Sequence, residues 1–397
     1  MRLLNTKTLE LSAFHQDRPP YAILSHTWTD DEAPLEAFVR RARLSRPIAR
    51  LRKRRYAKVR RACKLARSNG LNWIWIDTCC IDKASSAELT EAINSMYAWY
   101  AAAEVCYAYL SDVPSDDDPL VEKSGFARSR WFRRGWTLQE MIAPRAVEFY
   151  SNDWVSIGSK WELASTIERI TGVHGTILKE PYFAGTAQHN WSVAQRMSWA
   201  ANRQTTRPED LAYSLLGLFS VHMPLLYGEG ARNAFLRLQG EIAEVTNDQS
   251  LFAYGNWPLS YKGIAEDDLI VGGSLYAGSP SRFALCKDVV PVRRHDGGLP
   301  WTSEFSLHND GYLRIRLRVC ENKSRPDMRE SHIAFLECEL SRDPDQVVGF
   351  FVHNYDRVDG MPTDVHVYKR EFATLAKFPR HMAMEAPLRD VFLSSVY

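Results

Sequence analysis

The sequence predicts an α/β fold in which a parallel sheet carries helices on both faces, followed by a helical region and then a separate antiparallel β domain. Three observations support this. Apolar strand-like runs alternate with helix-like stretches from Tyr21 to Tyr150, the order that parallel strands require because each return crossing is long enough for a helix. From Trp161 to about Thr246 apolar residues recur at helical spacing. From Ser250 onward the period falls to two, in GYLRIRLRVC, HIAFLECEL, VVGFFVH and DVHVYKR, with Gly, Pro and Asp between the runs. The expected domains are residues 1–160, 161–255 and 256–397.

Taken in order, Tyr21 to Ser25 is a buried strand that opens through His26, Thr27 and Trp28 into an acidic loop, Asp30 to Glu32. Tyr56, Val59, Cys63 and Ala66 mark an amphipathic helix with Asn69-Gly70 at its C-terminal end. Trp73 to Ile76 is the second strand. Asp77 ends it, where open α/β sheets place ligand groups. Ser85 and Glu88 form a capping-box pattern before a helix whose core face is Leu89, Ile93, Met96, Tyr97 and Tyr100. Val105 to Leu110 and Ala146 to Tyr150 are the third and fourth strands. Beyond them, Ser192-x-x-Gln195 caps one helix, Pro208 starts another through Leu211, Leu215 and Leu218, and Glu229 to Thr246 is a third. No internal repeat of solenoid or propeller length is present.

Composition narrows the class. Twelve Trp and a 45% hydrophobic content argue for packed cores over disorder. A net charge of +2 gives no chain-wide reason to expect nucleic acid as a partner. Seven Cys, at 63, 79, 80, 106, 286, 320 and 338, show neither a disulfide rhythm nor paired knuckles, so reduced thiols in a cytoplasmic protein are expected. There is no signal-peptide core and no transmembrane segment. The sequons at Asn190 and Asn322 are then chance matches.

Between the third and fourth strands lies SRWFRRGWTLQEMIAP, residues 129–144. Ser129 as N-cap and Pro144 as stop predict a helix with Trp131, Leu138 and Ile142 on one apolar stripe. Arg133, Trp136 and Glu140 share another face. That face is either a surface ion pair beside a core Trp or part of a site. With strands one and three meeting at a switch point, Ser25, His26, Trp28, Asp77 and Asp112 border one crevice, and Glu140 overhangs it. An acid among Trp rings suits cleavage of an N-glycosidic bond, where a carboxylate steadies an oxocarbenium-like transition state and an indole face holds a cationic nicotinamide. A structural polar cluster is the alternative.

Other chemistries lack their residues. No G-x-x-x-x-G-K-[ST] or G-x-S-x-G run exists, Gly228-Glu-Gly230 lacks the third glycine of a dinucleotide fingerprint, and adjacent Cys79 and Cys80 cannot bind zinc as C-x-x-C does, so no metal is expected. A Cys79 or Cys80 nucleophile paired with His26 competes with simple core packing. Residues 40–61 hold twelve Arg or Lys and no acid, which reads as a solvated helix face or as a patch for nucleic acid or an anionic membrane.

The stretches YAILSHTW, WIWIDTCCIDKASSAELTEAINSMYAWY, CYAYLSDVP, SRWFRRGWTLQEMIAP, SVAQRMSWAANRQTTRPEDLAYSLLGLF and MPLLYGEGARNAFLRLQGEI resemble the fungal heterokaryon incompatibility (HET) domain proteins, in consecutive order from Met1 to about Tyr254. The resemblance implies a role in non-self recognition, with programmed cell death or growth arrest when incompatible fungal cells fuse. HET domains look like distant relatives of TIR domains, which implies a flavodoxin-like sheet. Many TIR domains cleave NAD with a glutamate on the helix after the third strand, and Glu140 occupies the corresponding helix, either spaced from Trp131 or as Trp136-x-x-x-Glu140. NAD would then be a substrate, with no bound cofactor.

Two departures from the family pattern stand out. Thr29 follows the Trp of the first motif where relatives commonly have Gly, and the basic segment is longer and more charged than usual. No nucleotide-binding oligomerisation domain or WD array follows in this sequence, so the switch is expected in the β domain or in another chain. The leading expectation is an incompatibility effector that self-associates, meets an incompatibility partner protein and cleaves NAD. A non-enzymatic signalling or scaffold module and a binder of nucleic acid or anionic membrane are the alternatives.

Overall fold

Four of the apolar runs become adjacent parallel strands. In the computed structural model, which describes residues 1–15, 17–29, 32–39, 56–179, 191–255, 275–292, 305–307, 312–322, 331–355 and 366–394, these are β3 (Tyr21–His26), β4 (Trp73–Ile76), β5 (Val105–Tyr109) and β6 (Val147–Tyr150). Their order is β4-β3-β5-β6, with Leu24 beside Ile76 and Ser25 beside Ala108. All six residues of β3 are buried, as a strand covered on both faces requires.

The sheet is mixed, a correction to the wholly parallel expectation. β1 (Arg2–Asn5) pairs antiparallel with β4 and with β2 (Leu11–Ala13), and β7 (Ser156–Ser159) pairs antiparallel with β6. The β1–β2 turn is made by Asn5, whose side-chain oxygen accepts from the amides of Lys7 and Thr8 at 3.0 Å each. This is the self-bonding that lets Asn close a turn.

Helix Ala57–Ser68 buries Val59, Ala62, Cys63 and Ala66 and ends at Asn69, after which Gly70 takes φ +76°, a left-handed turn that glycine allows. Helix Ser86–Ala101 starts at Ser85, whose hydroxyl accepts from the Glu88 amide. The Glu88 carboxylate is directed elsewhere, to Arg2 and to the Asp82 amide at 2.7 Å. Of the basic segment, residues 40–55 lie outside the described residues. In the remainder, Lys58 pairs with Glu32, and Arg61 donates to the Asp153 carbonyl at 2.9 Å.

The expected single helix from Ser129 to Pro144 is two pieces. A 3-10 turn, Arg130–Arg133, precedes an extended Arg134, and an α-helix runs from Thr137 to Ile142. Two pairings interrupt it. The Gln204 backbone N–H donates to the Arg133 carbonyl at 2.7 Å, and its own carbonyl accepts from the Gly135 N–H at 2.8 Å. A Cβ on Gly135 would stand 2.6 Å from Thr205 Cγ2, so this approach requires glycine. Likewise, the helix expected through Leu211, Leu215 and Leu218 is broken into Asp210–Tyr213 and Leu216–Phe219.

The chain divides into two units, one of residues 1–187, 203–206 and 213–225, the other of residues 188–202, 207–212 and 226–397. The first holds the sheet above. In the second, helix Val193–Ala200 begins with a complete capping box from Ser192 and Gln195, and a second sheet forms from β8 (Val289–Pro291), β9 (Phe305–Leu307), β10 (Tyr312–Glu321), β11 (Ser331–Leu340), β12 (Asp343–Tyr355), β13 (His366–Pro379) and β14 (Leu388–Ser394). Its order is β8-β11-β12-β13-β14-β10-β9. All its pairs are antiparallel except β13 with β14. Ile333, Phe335, Val347 and Phe378 form its buried core. Among the described residues no helix is long and apolar enough to cross a membrane.

Candidate functional site

β3 lies between β4 and β5, so the chain leaves it in opposite directions to build the next two strands. In open α/β sheets such a reversal is where ligand groups gather, at the carboxyl ends of the strands. Ser25 and His26 end β3, and Asp77 follows β4 directly as the first residue of a short helix, Asp77–Cys80.

Glu140 sits in the first turn of helix Thr137–Ile142 and is 8% exposed. Its Oε2 accepts the Ser25 hydroxyl proton, and Trp131 Nε1 donates to Ser25 Oγ at 2.7 Å. An indole can only donate. The single proton of Ser25 is therefore directed at Glu140. The Tyr100 phenol, whose hydroxyl donates to the Leu24 carbonyl at 3.4 Å, also lowers the Glu140 carboxyl. Burial pushes the Glu140 carboxyl up, the Ser25 bond draws it back, the Asp77 charge raises it and the Arg134 charge lowers it, leaving it at about 7. A carboxyl balanced there can take or give a proton near neutral pH.

The start of this helix is fixed by polar contacts. The Thr137 hydroxyl bonds the carbonyls of Trp131 and Arg134, and Arg203 donates to the Arg134 carbonyl at 2.9 Å and to Thr137 Oγ1 at 3.1 Å. Burial lowers the Arg203 guanidinium to about 9, against the pull of Glu140. At the other end, buried Lys160 donates to the carbonyls of Met141 and Pro144, closing the C-terminal turn with a cation.

A second cluster stands beside the first. Trp28 Nε1 donates to Asp77 Oδ2 at 2.7 Å, and the Lys83 ammonium lies over the Trp28 ring, 3.4 Å from its centroid. His26 Nε2 is 3.5 Å from Glu32 and 3.9 Å from Asp77. Burial would raise the Glu32 carboxyl, but His26 and Lys58 outweigh it and hold it at about 2. Asp77 Oδ1, both ring nitrogens of His26, Thr27 Oγ1 and Thr78 Oγ1 are buried with no hydrogen-bond partner among the described residues.

Of the residues singled out from sequence, Ser25 and Glu140 are bonded to one another, and Trp28, His26 and Asp77 form the neighbouring cluster. Asp112 makes its bonds elsewhere, accepting from Ser129 Oγ and from the Arg130 amide at 2.8 Å each, so it anchors the 3-10 turn. Arg133 is exposed at the end of that turn. Trp136 is half-buried immediately before the glutamate helix. Sequence reasoning missed Trp131, Tyr100, Arg134, Glu32 and Lys83. Trp131 was legible as an apolar position and as a Trp spaced from Glu140, and Tyr100 as an apolar position, but not by their polar tips, which find partners through the fold.

Cys79 and Cys80 are buried, with their sulfurs 4.0 Å apart. The bond to Cys80, together with burial, pushes the Cys79 thiol well up, which keeps it protonated and a poor nucleophile. Among the described residues no group of three or more His, Cys, Asp or Glu could hold a metal ion.

Comparison with known proteins agrees with the motifs. Residues 21–126 match the family model "Heterokaryon incompatibility protein (HET)". The "Vegetative incompatibility protein HET-E-1" of Podospora anserina is 45% identical over 230 residues, 57% of this chain. The chain spans 16% of that relative's length. No solved structure matches.

Proposed function

We propose, from the premise that this is a fungal heterokaryon incompatibility (HET) protein, that the chain is an effector of non-self recognition whose first unit cleaves the N-glycosidic bond of NAD. The observation that carries the reading is Glu140: a buried carboxyl raised to about 7, fixed by Ser25 at the carboxyl ends of parallel strands. The strand order β4-β3-β5-β6 supports a TIR-like reading of the domain, because it repeats the first four positions of the flavodoxin-like order.

In the proposed reaction the bond between the ribosyl anomeric carbon and the nicotinamide nitrogen breaks, and its electron pair leaves with nicotinamide. Ionised Glu140 steadies the oxocarbenium-like ribosyl cation. Water adds to that carbon and loses its proton to Glu140, giving ADP-ribose, nicotinamide and, after Glu140 deprotonates, one proton. Ser25 holds the carboxylate in place, and Trp131 fixes Ser25. Trp28 and Trp136 are the proposed ring-stacking groups, and His26 and Asp77 the pocket walls. Asp112 and Arg133, whose bonds and exposure direct them elsewhere, act at most through the turn that carries Trp131.

We assign the effector to the cytoplasm, where self-association driven by an incompatibility partner protein switches it on. The β-rich region within residues 256–397 is the proposed receiving element. Incubating the full chain with NAD beside a Glu140→Ala variant tests the chemistry. Nicotinamide release by the wild type alone is expected. Equal release by both, or none by either under conditions that drive self-association, overturns it and leaves a non-enzymatic signalling module as the better reading.

A further inference from the structure

We propose that Trp28 and Asp77 form a binding site for a flat organic cation, a pyridinium ring, and that Lys83 is an internal cation which such a ring displaces. The choice of ring rests on the NAD reading. The site itself rests on four features.

The first is orientation. The bond from Trp28 Nε1 to Asp77 Oδ2 at 2.7 Å fixes an indole that is 44% exposed, so one aromatic surface is both held and reachable. The second is occupancy. Lys83 Nζ stands 3.4 Å from that ring's centroid, the position a cation takes over an indole. The third is charge. Asp77 and, less strongly, Glu32, which also pairs with Lys58, favour the charged form of Lys83. Burial works against them and lowers the Lys83 ammonium from its ordinary value.

The fourth feature is unmet polarity. His26 Nδ1, Thr27 Oγ1 and Thr78 Oγ1 are buried without hydrogen-bond partners among the described residues, while Asp77 Oδ1 and His26 Nε2 face one another at 3.9 Å and Glu32 lies 3.5 Å from Nε2. Folded chains seldom leave buried polar atoms unsatisfied, and water or another molecule usually meets them. The carboxamide and hydroxyl groups attached to a pyridinium nucleotide supply donors and acceptors of the right kind.

Lys83 belongs to the turn before Ser85 and is exposed at the residue level, so its side chain can leave the ring without disturbing the sheet. An ammonium is compact and strongly hydrated, and it gains on return to water. A pyridinium is flat, apolar at its edges and better matched to the indole face. The site therefore favours exchange of the internal cation for the ligand's ring. Lys83 acts as a brake that only a cationic ring releases.

Binding of 1-methylnicotinamide, a pyridinium with no glycosidic bond, to the full chain provides the test. Calorimetry would be run beside neutral nicotinamide. Lys83→Met is expected to bind the cation about tenfold more tightly than wild type, with nicotinamide unchanged, and Trp28→Leu to lose the cation. Unchanged or weaker binding by Lys83→Met overturns the proposal, as does equal affinity of wild type for the charged and neutral rings. The probe cannot be hydrolysed, so a tenfold response in a chain that releases no nicotinamide from NAD would sink the enzymatic reading and leave the cation site standing.

Discussion

Replacing Glu140 by Gln keeps the side chain's shape and removes its ionisation, so it isolates the cost of burying the charge. The carboxyl moves from an ordinary 4.5 to about 7 on folding, chiefly through burial. Between those values the folded chain holds a proton that the unfolded chain has released. Stability is therefore greatest below pH 4.5 and falls as pH rises through 7, by about 3 kcal/mol for this group. The amide forfeits part of a hydrogen-bond pattern that suits an anion, worth about 1 kcal/mol. Glu140→Gln should then match or slightly trail the wild type at pH 5 and exceed it by about 2 kcal/mol at pH 8.5. Urea denaturation of both proteins from pH 5 to 8.5, read as a difference, cancels every group that does not interact with this one. A flat difference, or one of opposite slope, would refute the argument that Glu140 is a buried carboxyl held near neutrality. The same variant should release no nicotinamide, so stability would rise as activity vanishes.

Three further outcomes follow from the packing. Trp131→Phe removes the donor that directs Ser25, so nicotinamide release from NAD should fall about tenfold, as for loss of a positioning group, with a stability cost of about 1–3 kcal/mol from the void beside Phe132 and Phe149; undiminished release would show that Ser25 needs no such director. Gly135→Ala forces a Cβ to 2.6 Å from Thr205 and should cost about 1–3 kcal/mol in urea, with a fall in activity as the glutamate helix shifts; a neutral effect would mean the Gln204 pairing is loose. In the second unit, buried Arg370 donates to the carbonyls of Phe252 and Tyr254 at 3.0 and 2.7 Å and lies over the Tyr254 and Phe350 rings. Arg370→Ala should destabilise by about 2–5 kcal/mol, since it leaves carbonyls unpaired and a void, and limited proteolysis of that unit would read it.

Much of the first sheet was legible because strands buried on both faces must be written as continuous apolar runs. YAILS, WIWI and VCYAY are too short for buried helices and rich in aromatic and β-branched residues, which favours strands. The β1–β2 hairpin escaped notice because its strands are short and its turn is set by one Asn side chain. The break before Glu140 escaped for a different reason. Its cause, Gln204, lies some seventy residues away in sequence, and nothing within residues 129–144 records it. Asp112 was placed at the crevice because it follows a strand end, a rule of position. The fold instead gives its oxygens to the amide and hydroxyl of a nearby turn.

By itself, the sequence determined the alternation of strands and helices, the period-two region after Ser250, the capping of several helices and the nearness of Ser25, Asp77 and Glu140 to one edge of a sheet. These are local matters, fixed by side-chain periodicity and by hydrogen bonds within a few residues. Only the tertiary structure decided which polar tips meet there. The indole of Trp131 could aim Ser25 at Glu140, and Lys83 could lie on Trp28, because β3, β4 and the residues after β5 converge. Burial then raised a carboxyl that the sequence alone leaves at its ordinary value. Desolvation depends on everything packed around a group, and no neighbour in the chain encodes it.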